Sequence, residues 1–484
     1  MILTFSFVWT VAILLLGYAK AKSNKKLLLF QFIFLLILDC NYITTTAAIL
    51  GSQEINSSDL VLAALGITSI LCLVENNKVE KPLLAFVFVL SASVIACVVL
   101  NLFFPFEGKL IGASGSWDLF YYGVQPMTQV GIGVRTGLVL FRLALWLIVL
   151  CAIASVLRVE DFIVSAKAVI AFGKVHIVWS LCEFVCKNVF SSMVITNIAQ
   201  AIFPSVGSTY TVLNYRGGTA SLQGFTREPS HLAMALTFFL IIELLLNRKT
   251  LQKHFYIWMA TAVLVMVMSG AFTAIVGLVI VFGFSLYFHF ERKSGMQDLD
   301  NHFDVRILLL IALVIVLLFA CIPFFLYCFE DTYYVQKFDN VLGNAEALLS
   351  RRYSYLGGSS DAMPRIISII ECLYVFFGRF VFGIGPGVAN PFSGVVATLV
   401  NYGLIITIVW FLLIYNYSMR YSGKSGAKLF VVFIFLLGIL QLGDSYTYSS
   451  CWLLLAGLFG VSSQQHLYDS KKRTSGPTSE NGVE

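Results

Sequence analysis

The residues of this chain best suited to chemistry stand together in the stretch GFTREPSHLA, Gly224 to Ala233. Arg227, Glu228, Ser230 and His231 offer a guanidinium, a carboxylate, a hydroxyl and an imidazole side by side. Pro229 suits the first turn of a helix, where its missing N–H costs nothing. A helix beginning there would leave backbone N–H groups free beside Arg227, and the two together could grip a phosphate. Glu228 and His231 lie three apart, hence on one helix face. Glu228 leads as a base or as a binder of an acceptor hydroxyl, with His231 behind it. The bland alternatives are a Glu228 that favours the positive end of a helix dipole and a His231 that is an interfacial polar residue. No Walker loop, zinc-ligand spacing or HExxH occurs, so no metal and no cofactor is expected; Asp298-Leu299-Asp300 spells DxD in a short polar segment. Gly131 to Gly137 has the look of a phosphate loop but follows no strand, which predicts a turn.

The elements that must carry these residues are read from composition. Of 484 residues, 58% are hydrophobic and 12% charged, against about 25% charged in soluble domains. A chain so poor in charge cannot cover its own surface in water, so lipid is its solvent. A spanning helix needs roughly 20 apolar residues, and the runs here are continuously apolar rather than alternating, which favours helices over a barrel. Thirteen spans are expected, at about 2–19, 27–48, 60–74, 83–104, 137–157, 172–193, 229–247, 254–268, 271–290, 305–327, 391–417, 428–444 and 449–464. The fold class is therefore all-α: a polytopic membrane helix bundle, one integral domain over 1–468, with a disordered cytoplasmic tail over 469–484. Residues 158–174 mix charged and apolar positions, so part of that stretch is expected to lie flat in the interface. Spans eight and nine meet at Ser269-Gly270, a candidate tight turn. The ten cysteines have no CxxC spacing, and neither a disulfide nor a metal framework is expected. No basic region precedes the first apolar run, so it should persist as a span.

Most of the 32 basic residues fall in alternate connections if the N-terminus lies outside, as the positive-inside rule requires. The net charge of +6 thus reports topology, and no nucleic-acid partner is implied. Three outer segments are long: 105–136, 194–228 and 328–390. Connections of such length are usually functional or disordered, and these are too rich in apolar residues for disorder. In the last, Asp361 to Phe382 is amphipathic, with Asp361 a candidate N-cap; this helix is expected to rest on the membrane surface. The basic residues left outside are mainly arginines, among them Arg216, Arg227, Arg365 and Arg379. A guanidinium matches phosphate oxygens in pairs, so an anionic, phosphate-bearing ligand is one reading; pairing with the acidic residues of the same loops is the other. Arg379 could also snorkel to lipid headgroups. Within the membrane each ionisable residue is a functional candidate: Asp39; Arg142, which either faces the outer site or forms an ion pair inside the bundle; Glu183 and Lys187, spaced to pair with each other; and Glu243, near the cytoplasmic end and expected to snorkel.

Arg216, then Arg227-Glu228-Pro229-Ser230 at the mouth of a span, resembles the O-antigen and exopolysaccharide polymerase family (Wzy-type), a superfamily shared with the O-antigen ligases. Two further features are similar: FGIGPGVANP, Phe382 to Pro391, before a span containing Asn401-Tyr402-Gly403, and Arg365 opening the last helix of the long late loop. The resemblance implies a membrane glycosyltransferase-like (GT-C-like) fold in a bacterial cytoplasmic membrane. It implies that a growing glycan passes from its undecaprenyl-diphosphate carrier to the next lipid-linked oligosaccharide repeat on the extracytoplasmic face. Partners would be that lipid-linked oligosaccharide, membrane lipids and a chain-length regulator protein. Arg227, Arg216, Arg365 and Arg379, with Ser230 and Arg142, would bind diphosphate or glycan, and Glu228, Arg227 and His231 would carry the chemistry. Ligases of the superfamily typically carry a histidine in the last long loop; 328–390 has none, which favours polymerase over ligase. A transporter or flippase of lipid-linked sugars is the remaining alternative. Such proteins show paired repeats and helices broken near the midplane, and this sequence displays neither.

Overall fold

The computed structural model describes residues 2–43, 45–50, 53–76, 79, 81–106, 109–111, 127–129, 132–204, 215–216, 219–246, 253–294, 362–389, 391 and 393–413, with 343–344, 346, 350, 450, 453–455 and 457–458. The chain opens with strand β1 (Ile2–Leu3) and helices α1 (Phe5–Lys20) and α2 (Asn24–Cys40), followed by β2 (Thr46–Leu50), β3 (Gln53–Asn56), α3 (Ser57–Asn76) and α4 (Lys81–Phe103). A hairpin of β4 (Lys109–Ile111) and β5 (Met127–Gln129) leads to α5 (Val134–Val156), α6 (Val159–Asn188) and the short α7 (Val194–Ile202). A second hairpin, β6 (Tyr215–Arg216) and β7 (Thr219–Ala220), precedes α8 (Pro229–Leu246), α9 (Lys253–Met268) and α10 (Phe272–Ser294). The later helices are α11 (Ala362–Gly378) and α12 (Gly394–Leu413). Among the described residues, six helices (α3, α4, α5, α6, α8 and α12) are long and apolar enough to cross a membrane. The protein is an α-helical membrane protein. Expected spans ten and twelve, most of span thirteen, Asp298 to Asp300 and the tail lie outside the described residues.

Helix α8 is the hub. Of its apolar window 83% is buried, and a helix apolar on all sides belongs inside a bundle. Helices α2, α6, α9 and α10 pack around it. Lipid supplies little hydrophobic drive between apolar helices, so close approach through small residues matters. At the α6–α8 crossing, a Cβ on Gly173 would sit 2.5 Å from the Phe239 ring; at the α3–α5 crossing, one on Gly66 would sit 2.6 Å from Leu145.

Several boundaries differ from expectation. Helix α6 is continuous from Val159, so 158–174 does not lie flat. Two of its charges are matched instead: Asp161 lies 3.1 Å from Lys25 and Lys174 3.6 Å from Glu243. Glu243 is accordingly buried rather than snorkelling. Helix α2 ends at Cys40, not near 48. Tyr42 N–H donates to Asp39 O (3.0 Å) and Ile43 N–H to Leu38 O (2.8 Å), the paired bonds that close a Schellman turn. The residue at its left-handed position is Tyr42, φ +51, where glycine is usual; a side chain there costs about 1–2 kcal/mol. Beyond the turn, β2 pairs antiparallel with both β1 and β3, with Ile49 opposite Ile2 on one side and Glu54 on the other. The turn at Ser269-Gly270 matches expectation, but the Gly131–Gly137 stretch does follow a strand, β5, and from Val134 it is already the first turn of α5 rather than a turn.

The glycine-rich stretch after α11 is more than a turn. Gly403, ten residues into α12, has φ +76, and the ladder is interrupted there: Leu404 N–H donates to Phe380 O (2.6 Å). The freed carbonyls of Val400 and Asn401 accept from Ile384 N–H and Gly385 N–H, each at 2.9 Å. Asn401 also brackets Ala389, accepting from its N–H (2.8 Å) and donating to its carbonyl (2.9 Å). Residues 383–389 are buried. The hydrogen-bond ladder of α12 is thus locally interrupted at Gly403 within a continuous helix, a feature the sequence did not predict. Irregular backbone at such a place is stable because neighbouring protein supplies its hydrogen bonds.

Candidate functional site

One stripe of α6 builds the site. His176, Ser180, Glu183 and Lys187 recur at spacings that stack them on one helix face, and all four are buried. Glu183 and Lys187 form the expected pair, 2.6 Å apart. The segment 220–226 lies along this stripe and supplies what the pair still needs. Lys187 Nζ donates to Ser221 O (3.0 Å). Glu183 Oε2 accepts from Gly224 N–H (2.7 Å) and Gln223 N–H (3.2 Å), and Oε1 from Thr196 of α7 (3.1 Å). Asn188 Oδ1 accepts from Ala220 N–H (2.7 Å). A buried ion pair is tolerable when further hydrogen bonds satisfy it; here the partners are the backbone of the loop that leads into the REPS motif.

Gly224 makes the close approach possible. With φ +60, it passes so near α6 that a Cβ would lie 2.3 Å from His176 Nε2 and 2.8 Å from Ser180 Oγ. Phe225 N–H donates to His176 Nε2 (3.0 Å), which requires that nitrogen to be unprotonated and puts the ring proton on Nδ1. The Phe225 ring then drops among aromatic neighbours: His176 and Trp179 at 5.0 Å, Phe203 at 5.3 Å and Phe172 at 5.8 Å between centroids.

The motif follows. Thr226 Oγ1 donates within the turn, toward Gln223 O (2.7 Å) and Glu228 O (2.8 Å). Pro229 takes the first helical position, as expected. Glu228 is the residue whose carbonyl starts α8, accepting from His231 N–H (3.0 Å) and Leu232 N–H (3.1 Å). The bond from Leu232 is the first regular one of the helix, whereas His231 N–H belongs to the first turn, where free donors were expected, and it is already engaged. Ser230 Oγ donates to Glu228 Oε2 (3.0 Å), and Arg227 and Glu228 are half-buried. His231 is buried, its ring 5.7 Å from that of Tyr42. The motif therefore presents Arg227, Glu228 and Ser230 on a firmly held helix start, with His231 beneath them.

The other expected site residues divide. Arg216 lies in β6, opposite Thr219 of β7, in the hairpin that feeds the motif loop. Arg365 lies in the first turn of α11. The side chains of both lie outside the described residues. Arg379, just past the end of α11, donates to Phe104 O (2.9 Å) and Pro105 O (3.2 Å). It thereby covers the end of α4, where a cation suits the helix dipole. Arg142 makes a two-pronged pair with Asp59: Nε to Oδ1 at 2.7 Å and Nη2 to Oδ2 at 2.6 Å. That is the ion pair inside the bundle, and its guanidinium is engaged there rather than directed to a ligand. Asp39 is buried and hydrogen-bonded to Ser450. Tyr42 and His176 were not singled out in the sequence. His176 is one imidazole in an apolar run, and Tyr42 carries none of the glycine signal that marks a left-handed turn. No family model and no curated protein matches this chain.

Proposed function

We propose that the chain is a polysaccharide polymerase of the bacterial cytoplasmic membrane, with about thirteen spans, a GT-C-like arrangement and its active site on the extracytoplasmic face. It transfers a growing glycan from its undecaprenyl-diphosphate carrier to the next lipid-linked repeat. The observation that carries the proposal is the REPS motif at the head of the central helix. Arg227, Glu228 and Ser230 are presented there by a buried scaffold whose polar groups are spent on holding that loop. In the reaction an acceptor hydroxyl oxygen bonds to the anomeric carbon while the bond from that carbon to the diphosphate breaks. Arg227, with Arg216 of β6 and Arg365 of α11, neutralises the charge gathering on the diphosphate. Glu228 takes the hydroxyl proton, with its carboxylate oriented by Ser230.

In the native host, Arg227→Ala and Glu228→Ala should each abolish long glycan chains at normal protein level. Wild-type chain length in both would remove this site. A second reading, a transporter or flippase of lipid-linked sugars, is favoured by one observation, the local interruption of the α12 hydrogen-bond ladder at Gly403, since transporters build substrate sites from irregular helices. Deletion separates the two. Single repeats left on the surface lipid indicate a polymerase; loss of all surface glycan indicates a flippase; unattached polymer indicates a ligase.

A further inference from the structure

Tyr42 stands out on two independent grounds. Its backbone is left-handed, with φ +51, and a bulky residue with that conformation is an outlier. The position closes α2 by a Schellman turn, so glycine would serve the turn better. The side chain is nevertheless fully buried. It lies along α8, its ring 5.7 Å from His231 and 6.1 Å from Phe238. His231 and Phe238 are seven residues apart, two turns along one face of α8. The strained residue thus lays an aromatic ring along the first three turns of the helix that bears the REPS motif. Strained backbone persists where the surroundings over-determine it, and such sites are often functional ones.

We propose that Tyr42 is a positioning residue for His231: its ring fixes the imidazole one turn below Glu228, and the strain of the turn is tolerated for that contact. The role rests on the polymerase reading, in which His231 stands behind Glu228 in the proton transfer. The motif loop is held by α6 through His176, Glu183 and Lys187, so loss of the ring should disturb His231 while that hold on the loop remains. The effect should therefore fall on turnover and not on substrate binding.

The test is a double-mutant cycle on the full chain in proteoliposomes, with an undecaprenyl-diphosphate-linked oligosaccharide repeat as substrate and elongation read on a gel. Tyr42→Phe keeps the ring and should stay within about twofold of wild type. Tyr42→Gly relieves the backbone and removes the ring; kcat should fall about tenfold or more with KM unchanged. His231→Ala should lower kcat comparably, and in that background Tyr42→Gly should have no further effect, because contacting residues that act as a unit are not additive. Tyr42→Asn, which tolerates the left-handed turn, should behave as Tyr42→Gly and guards against an effect peculiar to glycine. Wild-type kcat in the Gly and Asn variants overturns the proposal. So does an equal fractional loss with and without His231, which would make the ring a general packing element. Should neither variant accumulate in the membrane, the ring serves the fold and the proposal falls. A wild-type chain that elongates nothing overturns the polymerase reading itself, and this role with it.

Discussion

Gly224→Ala tests the crossing on which the site depends. The added methyl carbon would stand 2.3 Å from His176 Nε2, 2.7 Å from its Cδ2 and 2.8 Å from Ser180 Oγ, all well inside contact distance. The φ of +60 separately costs a non-glycine residue about 1–2 kcal/mol. The clash is relieved by lifting the loop from α6 or by turning the His176 ring aside, and either way the Phe225–His176 bond is lost. Lifting stretches the Phe225–His176 bond of 3.0 Å and the Gly224–Glu183 bond of 2.7 Å. A neutral hydrogen bond is worth about 1 kcal/mol net, and one to a carboxylate about 1.5–3. Together the substitution should destabilise the protein by roughly 3–6 kcal/mol. The assay is thermal unfolding of the detergent-solubilised protein beside the glycan ladder in cells. Adding His176→Ala removes the nearest obstacle but not the cost in φ, so the double variant should recover part of the unfolding midpoint without reaching wild type. A Gly224→Ala protein with a wild-type midpoint and a wild-type ladder would refute the crossing.

Lys187→Met should destabilise by about 3 kcal/mol, the lower end for breaking a buried pair, because Gly224, Gln223 and Thr196 still donate to Glu183; an unchanged unfolding midpoint would mean the pair is not buried as described. Asp59→Asn and Arg142→Met, with their double variant, should show a coupling energy of about 1–3 kcal/mol, measured by thermal unfolding; additive effects would deny the two-pronged contact. Gly403→Ala drives a Cβ to 2.3 Å from Val381 O, where both atoms belong to a fixed scaffold, so the protein should fail to accumulate in membranes by immunoblot. Gly137→Ala, where a Cβ meets nothing within 4 Å, should accumulate normally and serves as the control.

What the sequence made legible was whatever depends on local spacing. Continuous apolar runs located the helices, Pro229 marked the head of α8, and four-residue spacing paired Glu183 with Lys187. What it hid depends on partners distant in the chain. The stretch 158–174 looked interfacial because it carries Arg158, Glu160, Asp161, Lys167 and Lys174 between apolar positions, and nothing nearby announces that Lys25 will meet Asp161 or that Glu243 will meet Lys174. The interrupted ladder of α12 rests on Gly403, a residue common in membrane helices; only contact with the 380–385 backbone redirects its hydrogen bonds. The site was legible as a motif but not as a mechanism of support. GFTREPS names its own side chains, whereas the reason for Gly224 lies in His176 and Ser180.

The support has an unusual economy that bears on function. In lipid, burying Glu183 and Lys187 is justified only if each polar atom finds a partner. Those partners are main-chain groups of 221–224, which an apolar substitute for the pair would leave unbonded. The loop and the pair therefore stabilise each other, and neither can change alone. From the other side, α2 closes on α8 through Tyr42. The head of α8 is held between two helices that reach it by different chemistry, hydrogen bonds from α6 and an aromatic face from α2. Groups that must meet a substrate within a few tenths of an ångström need such fixed surroundings. A helix start that merely connected two spans would need none of this, because a Pro-led turn forms without help. Under the proposed function, the α6 network is what would fix Arg227 and Glu228 for that meeting.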